Sequence, residues 1–269
     1  MNMFSYDFMQ RAFIVSIFIS VIIPCVGLVV VLKRLATTGE ALSHVSLGGV
    51  AVGLVMGMNP ILAAVILSIA AALTIEYMRK AFPRFSDIAT NVILSLGVGL
   101  AAIFSGLVSN TANFNNFLFG SIIAITDFEL YLVIGLSAVV IVVSLLLYNE
   151  LFFIAFDEEG AMLSGIPVNR INVVFSVLTA VVVSVSARTV GALVVSSLIV
   201  IPIACAMMVS KSYKKTMIMS VVFAMLFTAL GLTIAFYTGA KPGGTIVLFG
   251  VGVLLAIIVI KRLKKTWQR

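Results

Sequence analysis

Apolar runs about as long as a membrane-spanning helix follow one another from residue 9 to residue 260, and no other feature of the chain constrains its fold as much. A bilayer core takes about 20 helical residues to cross. Inside it every backbone N–H and C=O must be satisfied by the protein, which a helix does within one segment. The ~10-residue alternation of an outer-membrane barrel is absent. Candidate spans cover 9–32, 41–57, 59–78, 88–108, 127–149, 171–187, 189–209, 216–237 and 243–260. The weakest is 41–57, which is short and opens on polar residues, so an arrangement of eight spans with a partly re-entrant segment stands as the alternative. Composition agrees with a lipid-embedded chain: 62% of residues are hydrophobic and 10% charged, with a mean hydropathy of +1.26. The prediction is an all-α, polytopic integral membrane protein with eight to nine transmembrane helices and one domain over residues 1–269.

If the nine spans alternate, one side carries Lys33, Arg34, Arg79, Lys80, Arg84, Arg170, Lys211, Lys214, Lys215, Lys261, Arg262, Lys264, Lys265 and Arg269, which are 14 of the 17 basic residues. The other side keeps Arg11, Arg188 and Lys241. The bias of Lys and Arg toward cytoplasmic loops then places the C-terminus in the cytoplasm and the N-terminus outside. The net charge of +7 is thereby a topology signal. It does not point to nucleic acid, since no basic stripe is interleaved with exposed aromatics. The first apolar run lacks a basic n-region and a small-residue cleavage site, so it reads as a retained span. Cys25 and Cys205 lie in apolar runs without CxxC spacing and form neither a disulfide framework nor a zinc knuckle.

Several chemistries are excluded by what the chain lacks. It has no GxxxxGK[ST] phosphate loop, no HExxH and no GxSxG. A single histidine cannot supply a multi-histidine catalytic metal site within one chain. The expectation is a transport or membrane-structural protein, with no catalytic residues and no permanently bound cofactor.

The stretch RLATTGEALSHVSLGGVAVG, residues 34–53, holds the chain's one histidine. Glu40 and His44 are four apart and share a helix face, which continues through Leu47 and Ala51 to Met58. Gly49, Gly53 and Gly57 form a GxxxGxxxG row on roughly the opposite side, a surface on which another helix packs closely. Thr37-x-x-Glu40 before an apolar run also reads as a capping box, with the glutamate bonding back to the cap residue. His44 has a similar alternative as a packed imidazole bonded to a carbonyl. Against both stands the cost of ionisable groups in or beside a bilayer, which makes such a pair a functional candidate. Carboxylate and imidazole are ordinary ligands for zinc, and manganese accepts the same set with more preference for oxygen. Two ligands are too few, but a two-fold dimer would supply two carboxylates and two imidazoles. Gly39 with Thr37 and Thr38 marks a candidate helix break that would let the segment sink toward the membrane centre.

The segment GEALSHVSLGGVAVG resembles the G-[DE]-x-[LI]-[SA]-H-x-x-L-x-G-[VI] signature of metal-ion ABC importer permeases. Further blocks in the same order are NFLFGSIIAIT at 116–126, FDEEGAMLSGIP at 156–167, ARTVGALVVSSLIVIPIACA at 187–206 and KPGGTIVLFG at 241–250. The resemblance implies a membrane subunit working as a homodimer on two cytoplasmic ATP-binding subunits, which hydrolyse ATP while the permease itself is not an enzyme. It also implies delivery of metal by an extracytoplasmic binding protein, a lipoprotein where no outer membrane exists, and a place in the bacterial cytoplasmic membrane. The family's coordinating acid and histidine fall on Glu40 and His44. Many members carry aspartate where this chain has Glu40. The cargo implied is Zn2+, on the wording SHVSL and SSLIVIPIA, with Mn2+ next and iron after it.

The block at 156–170 matches the family's cytoplasmic coupling loop. Its residues agree independently: an acidic start, then Ala161, Met162, Leu163 and Ile166 as an apolar face, closed by Gly165 and Pro167. An apolar face on a polar loop calls for a partner; the alternative is a loop lying on the membrane surface. Arg188 between two spans reads as snorkelling to the outer interface, Asp87 as an acid at a helix N-terminus, and Pro202 as a bend in its span. The twelve methionines are dispersed and read as packing. Two other classes compete with the permease: a stand-alone channel or secondary carrier, which the coupling-loop block disfavours, and a structural subunit for which the cap reading of Glu40 suffices.

Overall fold

A computed structural model describes residues 3–82, 85–108, 111–121 and 125–267 of the chain. After a 3-10 turn at Met3–Ser5 the order is α1 (Asp7–Leu32), α2 (Ala36–Met56), α3 (Pro60–Ala81), α4 (Ser86–Ser105), α5 (Thr111–Phe119), α6 (Asp127–Leu146), α7 (Tyr148–Phe156), α8 (Glu158–Leu163), α9 (Val168–Val190), α10 (Ala192–Val209), α11 (Tyr213–Thr238) and α12 (Pro242–Trp267). The described residues contain no strand. Among the described residues, eight helices are long and apolar enough to cross a membrane. The ninth apolar helix, α10, is the short one at 18 residues.

Helix ends follow local chemistry. Pro60 opens α3 behind Asn59, whose side chain accepts from the backbone N–H groups of Ile61 and Leu62, satisfying donors that a helix start leaves free. Thr126 and Glu129 form a reciprocal capping box at the start of α6. Gly57, in the left-handed region with φ 68°, ends α2. The one-residue turn from α9 to α10 is made at Gly191, where φ is 98° and any Cβ would strike the backbone of Phe119 and Gly120.

The centre of the bundle is built from α1, α2, α9 and α10. Helix α1 packs on α11, α6, α9 and α10, and α2 on α4, α3, α10 and α9. Around this centre α4, α6, α11 and α12 turn large apolar side chains outward, among them Ile103 on α4, Leu145 on α6 and Leu248 on α12. Such faces suit lipid tails. The ends of α1, α3 and α12, the start of α9 and the turn from α10 to α11 carry Lys33, Lys80, Lys261, Arg170 and Lys211, and together they form the basic end of the bundle. At the opposite end Arg11 pairs with Asp127 at 2.9 Å, joining the start of α1 to that of α6.

Three sequence expectations change. The short span with the re-entrant alternative is a continuous 21-residue helix, and Gly39 does not interrupt it. The apolar run 127–149 breaks at Leu147, so its last residues open α7 instead. Helix α5 lies within a stretch where no helix is expected from the sequence. Pro202 does lie inside α10, as expected, and Pro24 lies likewise inside α1. Asp87 sits in the first turn of α4. The side chain of Arg188 lies outside the described residues.

Candidate functional site

Three neighbours hold α2, two of them by close backbone approach. Gly49 faces Ala64 and Gly53 faces Ala63 and Pro60, all on α3. Gly48 faces the Gly97 carbonyl of α4, and Gly97 in turn presses on the backbone of His44 and Val45. Gly39 meets Ile199, and the Ser43 hydroxyl donates to the Ala192 carbonyl, both on α10. Two members of the predicted glycine row, Gly49 and Gly53, thus lie in a helix interface, while Gly57 is the helix cap.

This grip leaves one open strip. From Gly39 to Ala51 every residue of α2 is buried except Glu40, which is exposed, and His44, which is half-buried. They lie in the second and third turns of α2, on the face opened by Thr37. The predicted continuation of that face through Leu47 and Ala51 is closed, because both are buried in the bundle. Neither Glu40 nor His44 has a hydrogen-bond or ion-pair partner among the described residues. No group of three or more His, Cys, Asp or Glu that could hold a metal exists among those residues either.

The capping-box reading of Glu40 fails on geometry. Helix α2 already begins at Ala36, with Leu35 as its cap residue and no side-chain cap bond. Thr37 is therefore inside the helix and cannot serve as its cap. Glu40 projects freely, one helical turn before His44 on the same face.

At the basic end, Asp157 caps α8 by accepting from the Gly160 N–H at 2.9 Å. The short helix lies against the bundle with Ala161 fully buried and Ile166 half-buried against the core. The outward face carries Met162 and, 90% exposed, Leu163. Gly165 reverses the chain at φ 84° with nothing within 4 Å of the Cβ position. Of the five residues expected to make a partner contact, Met162 and Leu163 face out, Ala161 and Ile166 anchor the loop, and Gly165 turns it.

A family model described as the ABC 3 transport family matches residues 5–261. The chain belongs to that family. Among its relatives, a protein of Treponema pallidum named "Probable metal transport system membrane protein" is 35% identical over 96% of this chain and 97% of its own length. ScaB of Streptococcus parasanguinis, a manganese import system permease protein, is 28% identical over 90% of this chain and 87% of its own. The solved structure of PsaBC from Streptococcus pneumoniae in complex with Fab superposes with a TM-score of 0.86 at 26% identity, covering 95% of this chain and 92% of the other. The all-helical bundle of this ABC 3 family member is thus a transport fold.

Sequence reasoning missed Gly48 and Gly97, the contact at which α4 meets the backbone of α2 beside His44. A glycine in an apolar span signals close helix approach, but the sequence does not tell which helix arrives.

Proposed function

We propose that the chain is the membrane permease of an ATP-driven importer that carries a divalent transition metal into the cell. One observation carries the reading: Glu40 and His44 are the open, unpartnered positions on an otherwise enclosed stretch of α2. A lone carboxylate and imidazole make half a metal site. A second copy of the chain, related by a two-fold axis beside this strip, completes it with the same two side chains. The ion is cargo, held long enough to be selected and then released.

The basic end is cytoplasmic on this reading, by the bias of Lys and Arg toward that side. Two ATP-binding subunits dock there on Met162 and Leu163, and a metal-binding protein delivers at the opposite face. The T. pallidum relative supports metal as the substrate class. Within that class the four donors admit two ions. Carboxylates bound through one oxygen each give the tetrahedral set zinc takes, and carboxylates bound through both give the octahedral, oxygen-rich set of manganese. Sequence wording points to zinc, while the name of ScaB favours manganese. We put manganese first and zinc second.

The test is uptake of radioactive manganese and zinc by cells expressing the parent or His44→Ala at equal membrane abundance. Loss of uptake in the variant supports the reading. Parental uptake of both metals would remove His44, and with it the half-site, from the pathway.

A further inference from the structure

Lys33, Glu158 and Asn172 close a ring of contacts across three elements. The Lys33 ammonium lies 3.1 Å from Glu158 Oε2 and donates to Asn172 Oδ1 at 3.0 Å. Asn172 Nδ2 donates to Glu158 Oε1 at 2.8 Å. Lys33 follows the last residue of α1, Glu158 is the first residue of α8, and Asn172 lies in the second turn of α9. Two of its members are enclosed, with the Lys33 side chain 7% exposed and Asn172 buried, while the Glu158 side chain is 41% exposed. Burial pushes the Lys33 ammonium below its ordinary value, against the pull of Glu158. Burial also pushes the Glu158 carboxyl up, yet Lys33 and the Asn172 amide hold it below its ordinary value. Lys33 is the more enclosed partner of the bridge. A lysine left buried without its carboxylate is strongly unfavourable.

What Lys33 is joined to gives the ring its meaning. The Leu35 N–H bonds the Val30 carbonyl and the Arg34 N–H bonds the Val31 carbonyl, the paired bonds of a Schellman helix end. Arg34 holds the left-handed position with φ 59°, where glycine is usual. Helix α2 begins two residues later. The joint from α1 to α2 is consequently a hydrogen-bonded turn, which places Lys33 three residues before the start of the helix that carries Glu40 and His44.

We propose that Lys33, Glu158 and Asn172 are positioning residues that transmit movement of α8 to the α1–α2 turn, and so couple ATP hydrolysis by the partner to opening of the metal half-site. This rests on α8 being the ATPase-contacting helix. The competing arrangement is that α8 is held by its apolar anchors Ala161 and Ile166, with the ring an incidental polar contact.

The permease–ATPase complex, reconstituted in vesicles, distinguishes the two. Glu158→Gln keeps the shape of a partly exposed side chain and removes its charge, and Lys33→Met removes the other charge. Each should retain the ATPase and continue to hydrolyse ATP, while metal moved per ATP falls at least about fivefold, the low end of coupling between linked sites. The exchanged pair Lys33→Glu with Glu158→Lys should recover a large part of the ratio. A parental ratio in both single variants overturns the proposal, as does a double variant no better than the singles, since loss of bulk stability is not repaired by exchanging charges. Failure of the parent complex to retain an ATPase is a different result, and it counts against the permease reading instead.

Discussion

A Cβ placed on Gly97 of α4 would lie 2.8 Å from the carbonyl carbon of His44 and 2.6 Å from the amide nitrogen of Val45, so α4 and α2 meet backbone to backbone at the histidine. Both obstructing atoms are main chain and cannot swing aside. The position of the His44 backbone is therefore set by the α2–α4 crossing, where Gly97 and Gly48 both permit the close approach.

Gly97→Ala should force the helices apart, at about 1–3 kcal/mol for overpacking, and lower metal uptake. Gly99→Ala, on the same helix with nothing within 4 Å of its Cβ position, should leave both unchanged. Thermal unfolding of the purified proteins, read beside uptake, checks the pair. Equal behaviour of the two variants would show that the crossing does not govern the site.

At Glu40 charge and shape are separable. Glu40→Gln preserves size on an exposed position and should alter stability by less than about 0.5 kcal/mol. Metal affinity should fall by more than the roughly 10–100-fold that follows loss of an outer-shell partner. Glu40→Asp keeps the charge and should retain transport, with a changed ratio of manganese to zinc because the shorter arm favours binding through one oxygen. Competition uptake with both metals reads the ratio.

Leu163 is 90% exposed, so Leu163→Asp has no folding contact to lose. Release of the ATPase, or hydrolysis without transport, is expected. Ala161→Asp should behave differently, destabilising the permease by placing a charge where the side chain is fully buried. Pull-down of the ATPase together with permease yield separates the two failures.

Much of this fold is legible in the sequence because lipid imposes a length on every span. All nine apolar runs correspond to long helices, α1 to α4, α6 and α9 to α12. The misses lie where that rule is silent. Helix α5 is too short to span, with asparagines at 113, 115 and 116. The break at Leu147 has neither Pro nor Gly to announce it, and α7 simply continues an apolar run. Two Thr-x-x-Glu patterns show how little a cap motif says without its turn. At Thr126 and Glu129 the box forms. At Thr37 and Glu40 it does not, because the Schellman turn through Arg34 and Leu35 starts α2 earlier. Helical spacing alone puts Glu40 and His44 on one face, but their openness depends on α3, α4 and α10 covering the remaining sides of α2. That arrangement is a property of chain-distant packing.

Mass measurement of the intact complex tests assembly. Two permease chains with two ATPases are expected, since one chain contributes a single carboxylate and a single imidazole. One permease chain in a complex that still transports would contradict the half-site.

Metal content of the purified permease–ATPase complex, by inductively coupled plasma mass spectrometry, tests the shared site most directly. We expect manganese or zinc at one ion per pair of permease chains in the parent, and none in Glu40→Gln or His44→Ala at unchanged yield of complex. Parental metal content in both variants would contradict the account.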